Sequence, residues 1–154
     1  MSLAVLDGDV VLNVDQIIEP RSIVSASEVG RPTPYYRTSN GRVLVAFLPQ
    51  AERERMLSSR LTAETPNTIA EPDILRAQLA EVRARGYAQT VEELEEGLNA
   101  TAAAVRGADG EAIGAVSVAG PGFRMRPAEL ARDAAAAVSR RLGYVEGSQS
   151  VGSQ

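Results

Sequence analysis

The stretch TPYYRTSNGRVLVAF, residues 33–47, decides how the rest of the chain is read. Thr38, Ser39 and Asn40 stand in a row, Gly41 follows, and an apolar run from Val43 to Phe47 ends at Leu48-Pro49. Ser, Thr and Asn favour the N-cap of a helix, where their side chains accept a bond from an N–H of the first turn. The run predicts a short helix over about residues 40–48, opened by more capping side chains than one helix needs. The surplus raises a second reading. The opening N–H groups of a helix lack internal partners and carry partial positive charge, so an anion docks there readily. Capping alone explains most such runs, and the residues by themselves favour it.

Working outward toward the N-terminus, residues 3–6 and 10–18 are β-rich runs separated by Asp7-Gly8-Asp9, a hairpin signal. Residues 21–27 are a weaker strand candidate, and residues 30–34, with one Gly and two Pro, predict a loop. In the other direction a second helix begins near Gln50, and residues 62–72 read as loop. The clearest helix then starts at Glu71-Pro72-Asp73: Leu75, Leu79 and Val82 recur at helical spacing, Arg76, Glu81, Arg83 and Arg85 face water, and Gly86 stops it. Residues 87–91 predict a strand, 92–97 an acidic turn, and 98–105 and 111–119 two strands joined by Gly107-Ala108-Asp109-Gly110. Gly120-Pro121-Gly122 breaks the sheet. Pro127 opens a last helix at its favoured first position, with Leu130, Ala134, Val138 and Leu142 as its apolar stripe and Gly143 past its end. Residues 144–154, rich in Gly, Ser and Gln, read as a disordered tail. The expected fold is α+β, one antiparallel sheet with helices packed on it.

Composition narrows the function. The length of 154 residues suits one domain, and 44% hydrophobic content can fill a core. A net charge of −4 argues against a nucleic-acid surface on this chain, and its sixteen basic residues read as scattered over exposed faces. No apolar stretch approaches the roughly 20 residues that span a bilayer. The first residues lack the basic region and apolar block of a signal peptide, so the default location is cytoplasmic. The chain has no Cys and no His, and every basic residue is Arg. Thiol nucleophiles, thiolate metal sites, a His general base, and Ser–Lys or Schiff-base chemistry are therefore closed. Ser117 and Glu92 have no such activating group, and no catalytic residue, metal site or cofactor is expected.

Four blocks then carry a resemblance: GRPTPYYRTSNGRVLVAFLP at 30–49, TPNTIAEPDILRAQLAEVRARGYAQTVEELEEGLNATAAAV at 65–105, GAVSVAGPGFRM at 114–125, and a closing helix ending SRRLG at 139–143. Together, in order and spacing, they resemble the effector-binding domain of the IclR family of bacterial transcription regulators over about residues 3–143. The resemblance implies a GAF-like fold whose sheet encloses a small-molecule pocket. It also implies a homodimer or tetramer, and DNA binding only through a winged helix-turn-helix domain and linker helix that lie outside these residues.

The resemblance further implies site residues. Backbone N–H groups of Ser39 and Asn40 would receive an effector carboxylate, and the motif glycine Gly41 that follows them is expected among the ligand-binding residues. Ser117 matches the first of two strand serines that face the pocket, and Ala119 replaces the second. Thr90 falls where some members carry an Asp, Ala100 where some carry a Cys, and Leu98 and Thr33 at apolar wall positions. Tyr35 or Tyr36 would offer a ring to the ligand or cover core. Glu92 and Glu93 match a recurrent acidic pair, read here as structural. Loss of an acid, a thiol and a hydroxyl disfavours a tiny keto acid such as glyoxylate or pyruvate, whose buried polar atoms would go unpaired. A larger, partly apolar carboxylate, such as an aromatic acid, is expected instead. Two rivals stay open: an interaction module with no ligand, and a carboxylate-dependent hydrolase.

Overall fold

A hairpin starts the chain. β1 (Ser2–Asp7) and β2 (Val10–Gln16) pair antiparallel around Gly8, whose φ of 58° supplies the left-handed turn. The computed structural model describes residues 1–18, 29–121 and 127–147. Beyond the hairpin come β3 (Pro32–Pro34), a 3₁₀ turn (Tyr35–Arg37), α1 (Ser39–Ala46), α2 (Gln50–Leu57) and α3 (Pro72–Arg85). β4 (Tyr87–Val91), β5 (Asn99–Arg106), β6 (Ala112–Gly120) and α4 (Pro127–Arg141) complete it. Among the described residues six strands form one curled antiparallel sheet in the order β3-β2-β1-β6-β5-β4, so the fold is α+β. Pairing of β1 with β6 brings Ser2 opposite Ser117 and joins the N-terminal hairpin to the later strands.

The helices divide between the two faces. α1 is buried along its whole length, which is why its sequence carries no polar stripe. Val43 and Val45 pack with Leu75 and Leu79 of α3 and with Ala4, Ala102 and Ala115 of the sheet. The opposite face buries Ala103, Val105 and Val116 under Ala131 and Ala135 of α4. α3 ends as expected: Gly86 adopts φ 82°, and its N–H bonds the Val82 carbonyl at 2.8 Å.

Two expectations need correction. Residues 32–34, expected as loop, form β3 against β2, with Val11 opposite Thr33. Proline is tolerated there because β3 is an edge strand, where a missing N–H breaks no ladder on the outer side. The apolar stripe of α4 is also displaced in part: Ala134 and Val138 pack on the core, but the two leucines do not. Leu130 and Leu142 are 40% and 47% exposed, whereas Ala131, Ala135 and Ser139 are buried. A shift of one residue rotates a helix face by about 100°. The small side chains win the inner face, and Ser139 is satisfied there: its Oγ donates to the Ala135 carbonyl at 2.7 Å and accepts the Arg106 N–H at 2.9 Å. Tyr144, first in the expected tail, closes α4 by donating its N–H to the Ser139 carbonyl at 3.0 Å. The strand expected at 21–27 and the tail residues 148–154 lie outside the described residues.

Candidate functional site

The start of α1 resolves the surplus of caps. Thr38 is extended, and its Oγ1 accepts the Gly41 N–H at 3.0 Å, so Thr38 is the cap. Ser39 and Asn40 are the first two helical residues, whose N–H groups precede any carbonyl inside the helix. Gly41 serves packing. A Cβ there would lie 2.5 and 2.7 Å from Cα and C of Tyr35, and closer still to its O, because the 3₁₀ turn doubles back beneath the helix. Gly41 is not among the residues that line the cavity beside it.

That cavity has a volume of about 80 Å³ and lies between the α1 start and the inner face of the sheet. One water needs roughly 10–15 Å³ on such a measure, so the space suits a small organic molecule. Ser39, Asn40 and Thr33 line it from the helix and β3, Ser117 and Ala119 from β6, and Thr90, Ala100 and Leu98 from β4, β5 and the turn between them. The strand register orders these side chains. Thr90 pairs with Ala100, and Ala100 with Ala119, so the three positions where polar groups were expected to be lost form one row across three strands. Ser2 and Ser117 form part of the next row on that face.

The second row is polar. Ser117 is 4% exposed, and its Oγ lies 2.8 Å from the Ser2 Oγ. The Asn40 Nδ2 donates to the Ser117 Oγ at 3.1 Å and to the Asn13 Oδ1 at 3.4 Å. The sequence reading assigned Asn40 a role only through its backbone and missed Asn13 and Ser2 as lining residues. Asn13 was hidden by its strand's pattern: Val10, Leu12 and Val14 are the more apolar alternate set of β2, yet Val11 and Asn13 are the buried ones and Val14 is exposed.

The turn between β4 and β5 holds the wall formed by Leu94 and Leu98. Its anchor is Glu93, buried despite its place in an acidic run. The Arg42 Nη1 donates to the Glu93 Oε1 at 3.0 Å, Nη2 makes a close ion pair with Oε2, and Nε donates to the Tyr36 carbonyl at 3.0 Å. Arg42 is 1% exposed, which corrects the expectation that the basic residues lie on exposed faces. The hydroxyls of Thr65 and Thr68 donate to the carbonyls of Glu92 and Glu93, both at 2.6 Å, and Glu92 itself has φ 55°. The acidic pair is thus part of the architecture. Tyr35 and Tyr36 are both in the core and outside the cavity lining. Burial pushes the Tyr35 phenol up to about 12, with the Asp9 charge adding to the effect.

A second, more open groove of about 720 Å³ runs between α4 and β5, lined in part by Ala103, Arg106 and Tyr144. It gathers none of the expected site residues. Among the described residues there is no carboxylate cluster placed to hold a metal ion, and no helix is long and apolar enough to cross a membrane.

A curled sheet closed by a buried helix around a small polar-and-apolar cavity defines an α+β ligand-binding domain. The family described as bacterial transcriptional regulator IclR C-terminal matches residues 1–140, and the chain belongs to it. An HTH-type transcriptional regulator of Mycobacterium tuberculosis is 39% identical over 151 residues, covering 97% of this chain and 58% of its own length. The chain thus spans less than two thirds of that relative. An IclR homologue of Microbacterium hydrocarbonoxydans, solved in complex with 4-hydroxybenzoate, superposes with a TM-score of 0.86 at 27% identity, covering 92% of this chain and 59% of its own. The inducer-binding domain of a PobR double mutant from Acinetobacter, in complex with 3-hydroxybenzoic acid, gives 0.80 at 27% identity over 90% of this chain and 86% of its own.

Proposed function

We propose that the cavity beside α1 binds a small carboxylate, the effector of a bacterial transcription regulator, and that the acid carries an apolar or aromatic body. The observation that carries this reading is the convergence on one cavity of the helix start at Ser39 and Asn40 and the depleted row Thr90–Ala100–Ala119. The carboxylate would lie on the N–H groups of Ser39 and Asn40, where the helix dipole favours negative charge. The hydroxyl of Ser117 would accept or donate one further bond, and Ala100, Ala119, Leu94 and Leu98 would pack on the body of the ligand. Two structural relatives hold hydroxybenzoates, in keeping with such a body.

In the cytoplasm, the complete regulator would join this domain to a DNA-binding domain and self-associate. Effector binding would then act by population shift: the acid must favour one quaternary arrangement to change affinity for DNA. A thermal-shift screen tests the ligand class. An acid at about 100 times its Kd adds about 2.7 kcal/mol, which raises the Tm of a chain this long by roughly 5–10 °C. Benzoate or 4-hydroxybenzoate is expected to give such a rise, with glyoxylate and pyruvate giving none. Stabilisation by the two keto acids alone overturns the reading.

A further inference from the structure

We propose that Arg37 supplies the charge by which the cavity selects an anion, an inference that rests on the cavity being a carboxylate site. Arg37 ends the 3₁₀ turn and immediately precedes the cap Thr38, so its side chain starts at the same corner as the free N–H groups of α1. It lines the cavity, and every other described side chain that does so is neutral; the second positive group on the lining residues is the Met1 ammonium, which donates to the Ile17 carbonyl at 2.9 Å. No acidic residue lines the cavity; Glu64, the carboxylate that pairs with Arg37, lies outside that lining.

The guanidinium is already positioned. Its Nη1 donates to the Glu64 Oε2 at 2.7 Å, and its Nη2 to the Thr62 Oγ1 at 2.8 Å. It lies over the Tyr36 ring at 5.5 Å from the centroid. The side chain is only 15% exposed, while that of Glu64 is 54% exposed, so water screens the partner more than it screens Arg37. The Arg37 Nε is buried and has no hydrogen-bond partner among the described residues. A guanidinium has five donors and no acceptor, and a buried donor without a partner is unfavourable until an acceptor arrives. A carboxylate offers an acceptor together with the opposite charge. An ester or amide of the same shape offers no charge and would gain less.

Calorimetric titration of the whole chain with 4-hydroxybenzoate and with its methyl ester tests this. Wild type is expected to bind the acid at least about tenfold more tightly than the ester, the factor for one hydrogen bond to a charged group. In Arg37→Gln the ratio should fall severalfold through weaker binding of the acid, and Arg37→Lys should keep part of the preference. Glu64→Gln, which removes only the exposed competitor, should keep or increase it. The proposal fails if Arg37→Gln retains the ratio, if acid and ester weaken equally, or if Glu64→Gln loses the ratio as fully as Arg37→Gln does. Should Arg37→Gln not fold, the salt dependence of wild type decides: the acid must weaken with added salt while the ester does not, and equal behaviour overturns the proposal. If wild type binds neither these probes nor any small acid, the carboxylate reading of the cavity fails and Arg37 selects nothing; acid binding indifferent to Arg37 sinks only the role of Arg37.

Discussion

Gly41 is required for the space it leaves. The atoms a Cβ would meet belong to the Tyr35 backbone, which cannot swing aside as a side-chain end can. Gly41→Ala is therefore expected to destabilise the chain by about 3 kcal/mol or more. The urea midpoint would report it, and a loss below about 1 kcal/mol would contradict the packing role. A cap at Thr38 or Ser39 was legible in sequence because capping is local, but the packing role of Gly41 was not, since it depends on how the 3₁₀ turn passes beneath the helix. Arg42 was not, since its partner Glu93 lies 51 positions away and no local window contains both. Arg37 was passed over for a related reason: whether an arginine lines a cavity depends on strands that the adjacent residues do not reveal.

Among the elements, α1 and the β4–β5 turn act as one clamp on the cavity wall. Arg42 reaches from the first helical turn to Glu93, and Thr65 and Thr68 hold the same turn by its backbone. Removing one member of a buried ion pair leaves the other charge unpaired, at a cost of about 3–5 kcal/mol. Glu93→Leu and Arg42→Met should each lose that much in denaturant unfolding, while the double substitution recovers most of it. Additive losses would show that the two residues do not act as a pair. At this scale periodicity served α3 and the N-terminal hairpin well, where long repeats or a turn signal identify the element. It failed for β3, where three residues became a strand through pairing with β2. It also placed the buried face of α4 only in part: Ala134 and Val138 pack there, but small residues take the centre in place of Leu130 and Leu142.

For the whole molecule, the cavity exists only through closure of the sheet. Ser2 and Ser117, 115 positions apart, touch because β1 docks on β6, and α1 lies across both. Hydrophobic pattern gave the α+β class, but the grouping of Ser39, Asn40, Thr90, Ala100 and Ser117 came from resemblance, since no spacing rule brings four separated segments together. The family assignment and the structural relatives agree with that class. The central claim is that an acid docks at the start of α1, and the amide spectrum of the ¹⁵N-labelled chain reads that position directly. On titration with 4-hydroxybenzoate, the Ser39 and Asn40 amide signals should move first and furthest, with Ser117 following. Unchanged signals there, or shifts confined to Arg106, Ala135 and Tyr144 along the groove between α4 and β5, would contradict the account.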